Sequence, residues 1–124
     1  HLINTRNPLV TAKIEAWQFG PVFRELYHCF KQYEERPIER KATKIDPATG
    51  KSVVCEASID ESTRKFLEEE VSKLLMFSPS DLVSWSHERG GPWDKVWNHE
   101  SLSKASMRIS DADILQWFSN SKRN

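Results

Sequence analysis

Apolar side chains recur at three- and four-residue steps along several stretches of this chain, and each stretch predicts a helix. The first stripe runs Val22, Phe23, Leu26, Tyr27, Phe30 and Tyr33, matching the period of an amphipathic helix. Pro21 stands at its start, where a missing N–H costs nothing. The pattern therefore predicts a helix over about 21–34 that ends before Pro37. Phe66, Leu67, Val71, Leu74 and Leu75 form the apolar face of a second helix, over roughly 60–76. Ser58-Ile59-Asp60-Glu61 reads as its capping box. Ser78-Pro79-Ser80-Asp81 repeats the helix-start pattern, with a capping serine, a proline and an early acid. That helix carries Leu82, Val83, Trp85, Ser86 and His87 until Gly90-Gly91 ends it. Pro92-Trp93 restarts the chain, and Val96-Trp97 adds a short helical turn. In the last helix Ser110 caps, Asp113 sits at the third helical position, and Ile109 staples to Ile114. Trp117 and Phe118 fall on its buried side.

Two regions break this helical rhythm. Residues 2–19 alternate weakly and predict one or two short extended segments leading to Gly20-Pro21. Lys44-Ile45-Asp46-Pro47-Ala48-Thr49-Gly50-Lys51 places Pro and Gly where a tight turn needs them, with Val53-Val54-Cys55 beyond. An exposed hairpin is expected within residues 38–57. The expected fold class is mainly α: a compact helical domain of four to five helices with a small β-hairpin or short extended segments.

Composition narrows the function classes. The 124 residues make one ordinary domain. The 18 basic and 18 acidic side chains cancel, which leaves no electrostatic footprint for nucleic acid or an anionic membrane surface. The basic run Arg36 to Lys44 reads as a solvated loop and Lys122-Arg123 as a tail. No apolar run approaches the roughly 20 residues of a membrane span, and no signal-peptide pattern opens the chain. A cytoplasmic protein is expected. Cys29 and Cys55 are too sparse for a disulfide scaffold and read as reduced, partly buried thiols. His1 in place of Met points to a processed or truncated chain.

Candidate chemistry is thin. His28 and His99 lack the further Cys or His that a metal site requires at helical or knuckle spacing. Glu68, Glu69 and Glu70 form a solvated helix face. Ser84 and Ser86 lie outside any nucleophile-elbow pattern, and no Gly-rich phosphate loop occurs. His87 closes a helix just before a Gly-Gly-Pro-Trp turn, where an imidazole can bond a free carbonyl and tie the turn down. The residues thus predict no catalytic group, metal or cofactor. Of the five tryptophans, Trp17 and Trp117 are placed for core packing, while Trp85, Trp93 and Trp97 crowd around one corner. Aromatics in such clusters also serve as anchors at protein interfaces.

Two stretches bring a tryptophan together with a Gly-Pro pair: Ala16-Trp17-Gln18-Phe19-Gly20-Pro21-Val22 and Ser86-His87-Glu88-Arg89-Gly90-Gly91-Pro92-Trp93. The first, continued by Glu25-Leu26-Tyr27 and Phe30, resembles the Ala-Trp-x-(Tyr/Phe)-Gly-Pro-Val…Tyr segment of the Panacea domain. The second, from Leu82 onward, is similar to the family's Leu-x-x-x-Thr-His…Pro-Trp block, with Ser86 in place of threonine. The closing helix of Ile114 and Phe118 matches the family's C-terminal helix. The resemblance identifies Trp17, Phe19, Gly20, Pro21, Glu25, Tyr27, His87, Pro92 and Trp93 as motif residues with structural or partner-binding roles. It implies one Panacea-like domain over residues 1–124 that lacks the family's usual N-terminal helices, with residues 40–57 as a local elaboration.

The family includes phage-associated GepA-like proteins and SocA-like antitoxins. The resemblance therefore implies a non-enzymatic, often prophage-associated antitoxin or adaptor that neutralises a cognate protein toxin by direct binding. It also implies delivery of that toxin to a ClpXP-type protease. Two alternatives remain at this stage. One is an enzyme using His87 in a cleft with a second titratable group near Trp17 or Trp93. The other is a DNA-binding autorepressor.

Overall fold

The Gly20-Pro21 corner closes a β-hairpin rather than opening a helix. The computed structural model describes residues 2–99 and 107–121; His1, Glu100 and Lys122-Arg123 lie outside the described residues. In chain order the elements are α1 (Leu2–Thr5), β1 (Ile14–Trp17), β2 (Gly20–Phe23) and α2 (Arg24–Phe30), followed by a 3-10 turn (Lys31–Tyr33). Then come β3 (Thr43–Ile45), β4 (Ser52–Val54), α3 (Glu61–Leu74), α4 (Pro79–Ser86) and α5 (Pro92–Asp94). A π-helical turn (Lys95–His99), β5 (Arg108–Ile109) and α6 (Asp111–Ser121) complete the order. The fold is mainly α with small antiparallel sheets, as the patterning predicts. The chain divides into two compact units, one built up to Arg24 and again from Pro79, the other from Glu25 to Ser78.

In the first unit β1 is the middle strand of an antiparallel sheet ordered β2-β1-β5. Pairing runs Ile14↔Phe23 through Trp17↔Gly20 on one side and Ile14↔Ile109 on the other. The period of two puts Ile14, Ala16, Pro21, Phe23 and Ile109 on one face. Ala16 and Ile109 are buried there with Trp93 and Val96, and Ile14, Trp97, Met107 and Ile114 pack around them.

Pro21 and the apolar residues Val22 and Phe23 therefore belong to a strand, and α2 begins three residues later than the stripe suggests. Over so short a run a helical stripe and a strand are indistinguishable by periodicity, and pairing with β1 decides between them. Proline is tolerated because of the register. The Ala16 N–H points toward β5 and donates to the Met107 carbonyl at 2.6 Å. The Ala16↔Pro21 pair is thus a non-hydrogen-bonded one, and Pro21 forfeits no ladder bond.

Elsewhere in this unit the helix signals hold. Pro79 opens α4, and Pro92 follows the cap Gly91 at the start of α5. The Ser110 hydroxyl accepts from the Asp113 N–H at 3.1 Å at the start of α6, as expected. Helix α1 was not expected, since residues 2–19 read as extended; its single turn packs against α6. A four-residue helix leaves too little periodicity to detect.

The second unit has no fully buried residue. Strands β3 and β4 pair as the expected hairpin, Thr43↔Val54 through Ile45↔Ser52. Asp46 organises its turn, accepting from the Ala48 N–H at 2.9 Å and, through its carbonyl, from the Gly50 N–H at 2.8 Å. The cap of α3 is Asp60 rather than Ser58. Its carboxylate accepts from the Thr63 N–H at 3.0 Å and from the Ser62 and Thr63 hydroxyls. These donors, Ser62 first, hold the Asp60 carboxyl well below its ordinary range. Cys29 and Cys55 are free and exposed, correcting the expectation of partial burial. Cys29 lies in α2 and Cys55 follows directly on β4.

Candidate functional site

The two Gly-Pro corners meet. The Trp93 indole N–H donates to the Trp17 carbonyl at 2.7 Å, a contact between residues 76 positions apart. Trp93 reaches this position because Gly91-Pro92 opens α5 and turns its second residue into the core. The His87 ring packs on Trp93 with centroids 4.0 Å apart. It also closes over Gly20, whose φ is +133°; a β-carbon added there would lie 3.3 Å from His87 Cε1. Glycine at 20 thus satisfies both the backbone angle and the close approach of the imidazole.

His87 is held from its own helix. Its Nδ1 lies 2.7 Å from the Val83 carbonyl and 3.0 Å from the Ser86 hydroxyl. A carbonyl only accepts, so Nδ1 carries the proton. The Ser86 hydroxyl donates to the same carbonyl at 2.9 Å. His87 therefore holds the end of α4 against the first hairpin and Trp93.

A buried acid completes the second corner. Asp94 accepts from the Gly90 N–H at 2.9 Å and from the Asn98 amide at 2.6 Å, with His99 Nε2 3.4 Å away. The Gly90 and Asn98 bonds, with the His99 charge behind them, hold its carboxyl below the usual range. Sequence reasoning missed Asp94, although an acid at the third helical position after Gly-Pro is a recognisable capping signal. Glu15 plays a similar part on the far face of the sheet. It accepts from the Trp17 indole at 2.8 Å and pairs with Arg24 at 2.8 Å, and both contacts lower its pKa. Trp17, expected in the core, is instead partly buried on this opposite face. Lys95 pairs with Asp113, tying the π-helical turn to α6 and lowering the Asp113 pKa.

Beside this lock lies an apolar cleft of about 200 Å³. Pro21, Pro92 and Trp93 of the two corners form one part of its wall, and Trp85, Ile114 and Phe118 another. Trp85 meets Phe118 edge to face at 6.0 Å yet keeps half its surface exposed. The Ser86 hydroxyl is the lone polar side chain of the lining, which includes no titratable group. The second acid or base that the enzyme alternative requires is therefore not supplied by this cleft.

Of the other motif residues, Phe19 stands at the hairpin tip, 84% exposed. Glu25 and Tyr27 lie on the exposed surface of α2 in the second unit, with Tyr27 edge-on to His28. Trp17, Gly20, Pro21, His87, Pro92 and Trp93 are thus assembled around one point of the first unit, whereas Phe19 of that unit stands apart from it. Among the described residues no group of three or more His, Cys, Asp or Glu is placed to hold a metal ion. No helix among them is long and apolar enough to cross a membrane.

Motif residues that lock two corners together, beside an apolar cleft in a mainly helical fold, define a small architectural module. Residues 1–94 match the family described as antitoxin SocA-like, Panacea domain, and the chain belongs to that family. It is 32% identical over 118 residues to the antitoxin SocA of Caulobacter vibrioides (strain NA1000 / CB15N). That alignment covers 94% of this chain and 63% of the relative, so the chain spans less than two thirds of the relative's length. No solved structure matches the chain.

Proposed function

We propose that this chain is the toxin-recognising part of an antitoxin and neutralises a cognate protein toxin by direct binding. Membership of the SocA-like Panacea family, with a curated antitoxin as a relative, carries this reading. The surface best suited to the contact is the cleft bounded by Trp85, Trp93 and Phe118. A half-exposed tryptophan over a nearly wholly apolar pocket is the composition of an interface anchor site. The exposed Phe19 of the same unit offers a second aromatic. In this reading residues 1–124 act as one Panacea-like domain in the cytoplasm, and the bound toxin is passed to a ClpXP-type protease.

The test is co-expression with the product of the adjacent reading frame. That product should arrest growth alone and be tolerated with this chain present. Trp85→Ala should keep the melting temperature close to wild type while weakening capture by about 2 kcal/mol or more, the range of an interface anchor. A harmless neighbour, or full protection by a Trp85→Ala chain with unchanged affinity, would remove the toxin reading or this surface respectively. Toxin half-life with and without the protease tests the delivery step separately.

A further inference from the structure

We infer that the second unit contains a binding site for a small phosphorylated molecule with a flat ring, a mononucleotide being the class that fits. The site is a cleft of about 530 Å³, within the size range of small-ligand pockets. One wall is the end of α2 with its 3-10 turn, where the Phe30 and Tyr33 rings lie 6.4 Å apart. The opposite wall is the hairpin face carrying Thr43 and Ser52, which the β3–β4 register places on the same side. Arg40 and Lys41 line the cleft from the segment entering β3.

The charges at this cleft are one-sided in a chain whose total charge is zero. Two cations line it and no carboxylate does; Glu39, adjacent in sequence, is not part of the wall. Among the described residues neither Arg40 nor Lys41 has an ion pair or hydrogen bond. What sets these two cations apart is their place in the wall of a cleft that has no carboxylate in its lining. Two unpaired cations, two hydroxyls and a pair of rings around one cavity supply the parts that nucleotide recognition needs. A guanidinium and an ammonium hold phosphate oxygens, hydroxyls complete the hydrogen bonding, and an aromatic face stacks the base. A patch of one sign in a cleft also raises the local concentration of anions. The site owes nothing to the toxin reading, because it shares no residue with the cleft beside Trp93.

Titration calorimetry on the whole chain with AMP, GMP, CMP and UMP tests the inference, with adenosine and inorganic phosphate as half-probes. At least one mononucleotide should bind saturably and more tightly than either half. An Arg40→Gln/Lys41→Gln chain should raise its Kd about tenfold or more. Tyr33→Ala should weaken the nucleotide while leaving phosphate affinity unchanged. All three positions lie outside the buried core, and circular dichroism checks that the variants keep their fold. No saturable binding of any of the four at about 1 mM overturns the inference. So does binding that the double substitution leaves intact, or a phosphate affinity equal to that of the nucleotide.

Discussion

The two units of this chain obtain their structure in opposite ways. Every fully buried residue belongs to the unit containing the two corners, where Ala16, Trp93, Val96 and Ile109 form the core. The other unit holds its shape by local bonds: an Asp46-centred turn, an Asp60 cap, and the Glu70–Lys73 pair one turn apart. Its longest helix, α3, ends in an apolar surface that nothing covers among the described residues, with Leu75 79% and Met76 86% exposed. Long-range burial gives the first unit one defined arrangement, whereas local signals alone specify elements without a core.

The contrast should be widest in native-state hydrogen exchange. Amides of β1 and of residues 93–97 should exchange at least about a hundredfold more slowly than those of β3, β4 and α3, since local opening is far cheaper than global unfolding. Equal protection in both units would end the comparison. Next in size is Trp93→Ala, which should destabilise the first unit by roughly 3–5 kcal/mol in a denaturant titration. A smaller loss would mean that the lock between the corners contributes less than its burial suggests.

Acid provides a finer probe. The folded-state pKa of Asp94 lies below its unfolded value, with the Gly90 N–H the leading cause. Its contribution to stability is therefore complete above about pH 4, the ordinary carboxylate range. It is lost as pH falls through the lowered folded value. Asp94→Asn should flatten the decline of stability below about pH 4, as read by melting temperature against pH. Wild-type steepness in that variant would shift the effect to other groups, such as Glu15 or Asp113. The smallest effect belongs to the second unit. Leu75→Gln should change stability by no more than about 0.5 kcal/mol, as for other exposed positions. A larger loss would show that α3 is covered in solution.

Local grammar was readable wherever a residue acts on its neighbours. The Pro79 and Pro92 helix starts, the Ser110 cap and the Asp46-Pro47…Gly50 turn all follow from side chains acting within a few positions. The cap of α3 was displaced by two residues because Asp60 outcompetes Ser58, its carboxylate accepting from Ser62 and Thr63 together. The β2 strand was misread as helix because its conformation depends on a partner strand, which periodicity cannot display. Both corners were visible as motifs, but not their meeting through the Trp93 indole. A hydrogen bond across 76 residues leaves no local trace. The cleft beside Trp93 was hidden for the same reason, since its wall comes from β1, β2, α4, α5, β5 and α6.

Pro21 has a consequence for how anything docks at that cleft. It faces the outer rim of the sheet with a ring nitrogen in place of an amide, on a strand that has no further neighbour among the described residues. A visiting polypeptide finds no donor at that point with which to extend the sheet as an added strand. The rim thereby resists indiscriminate edge-to-edge stacking of copies. A partner at the proposed docking cleft would then be read more by the shape and apolar surface of its side chains than by its backbone.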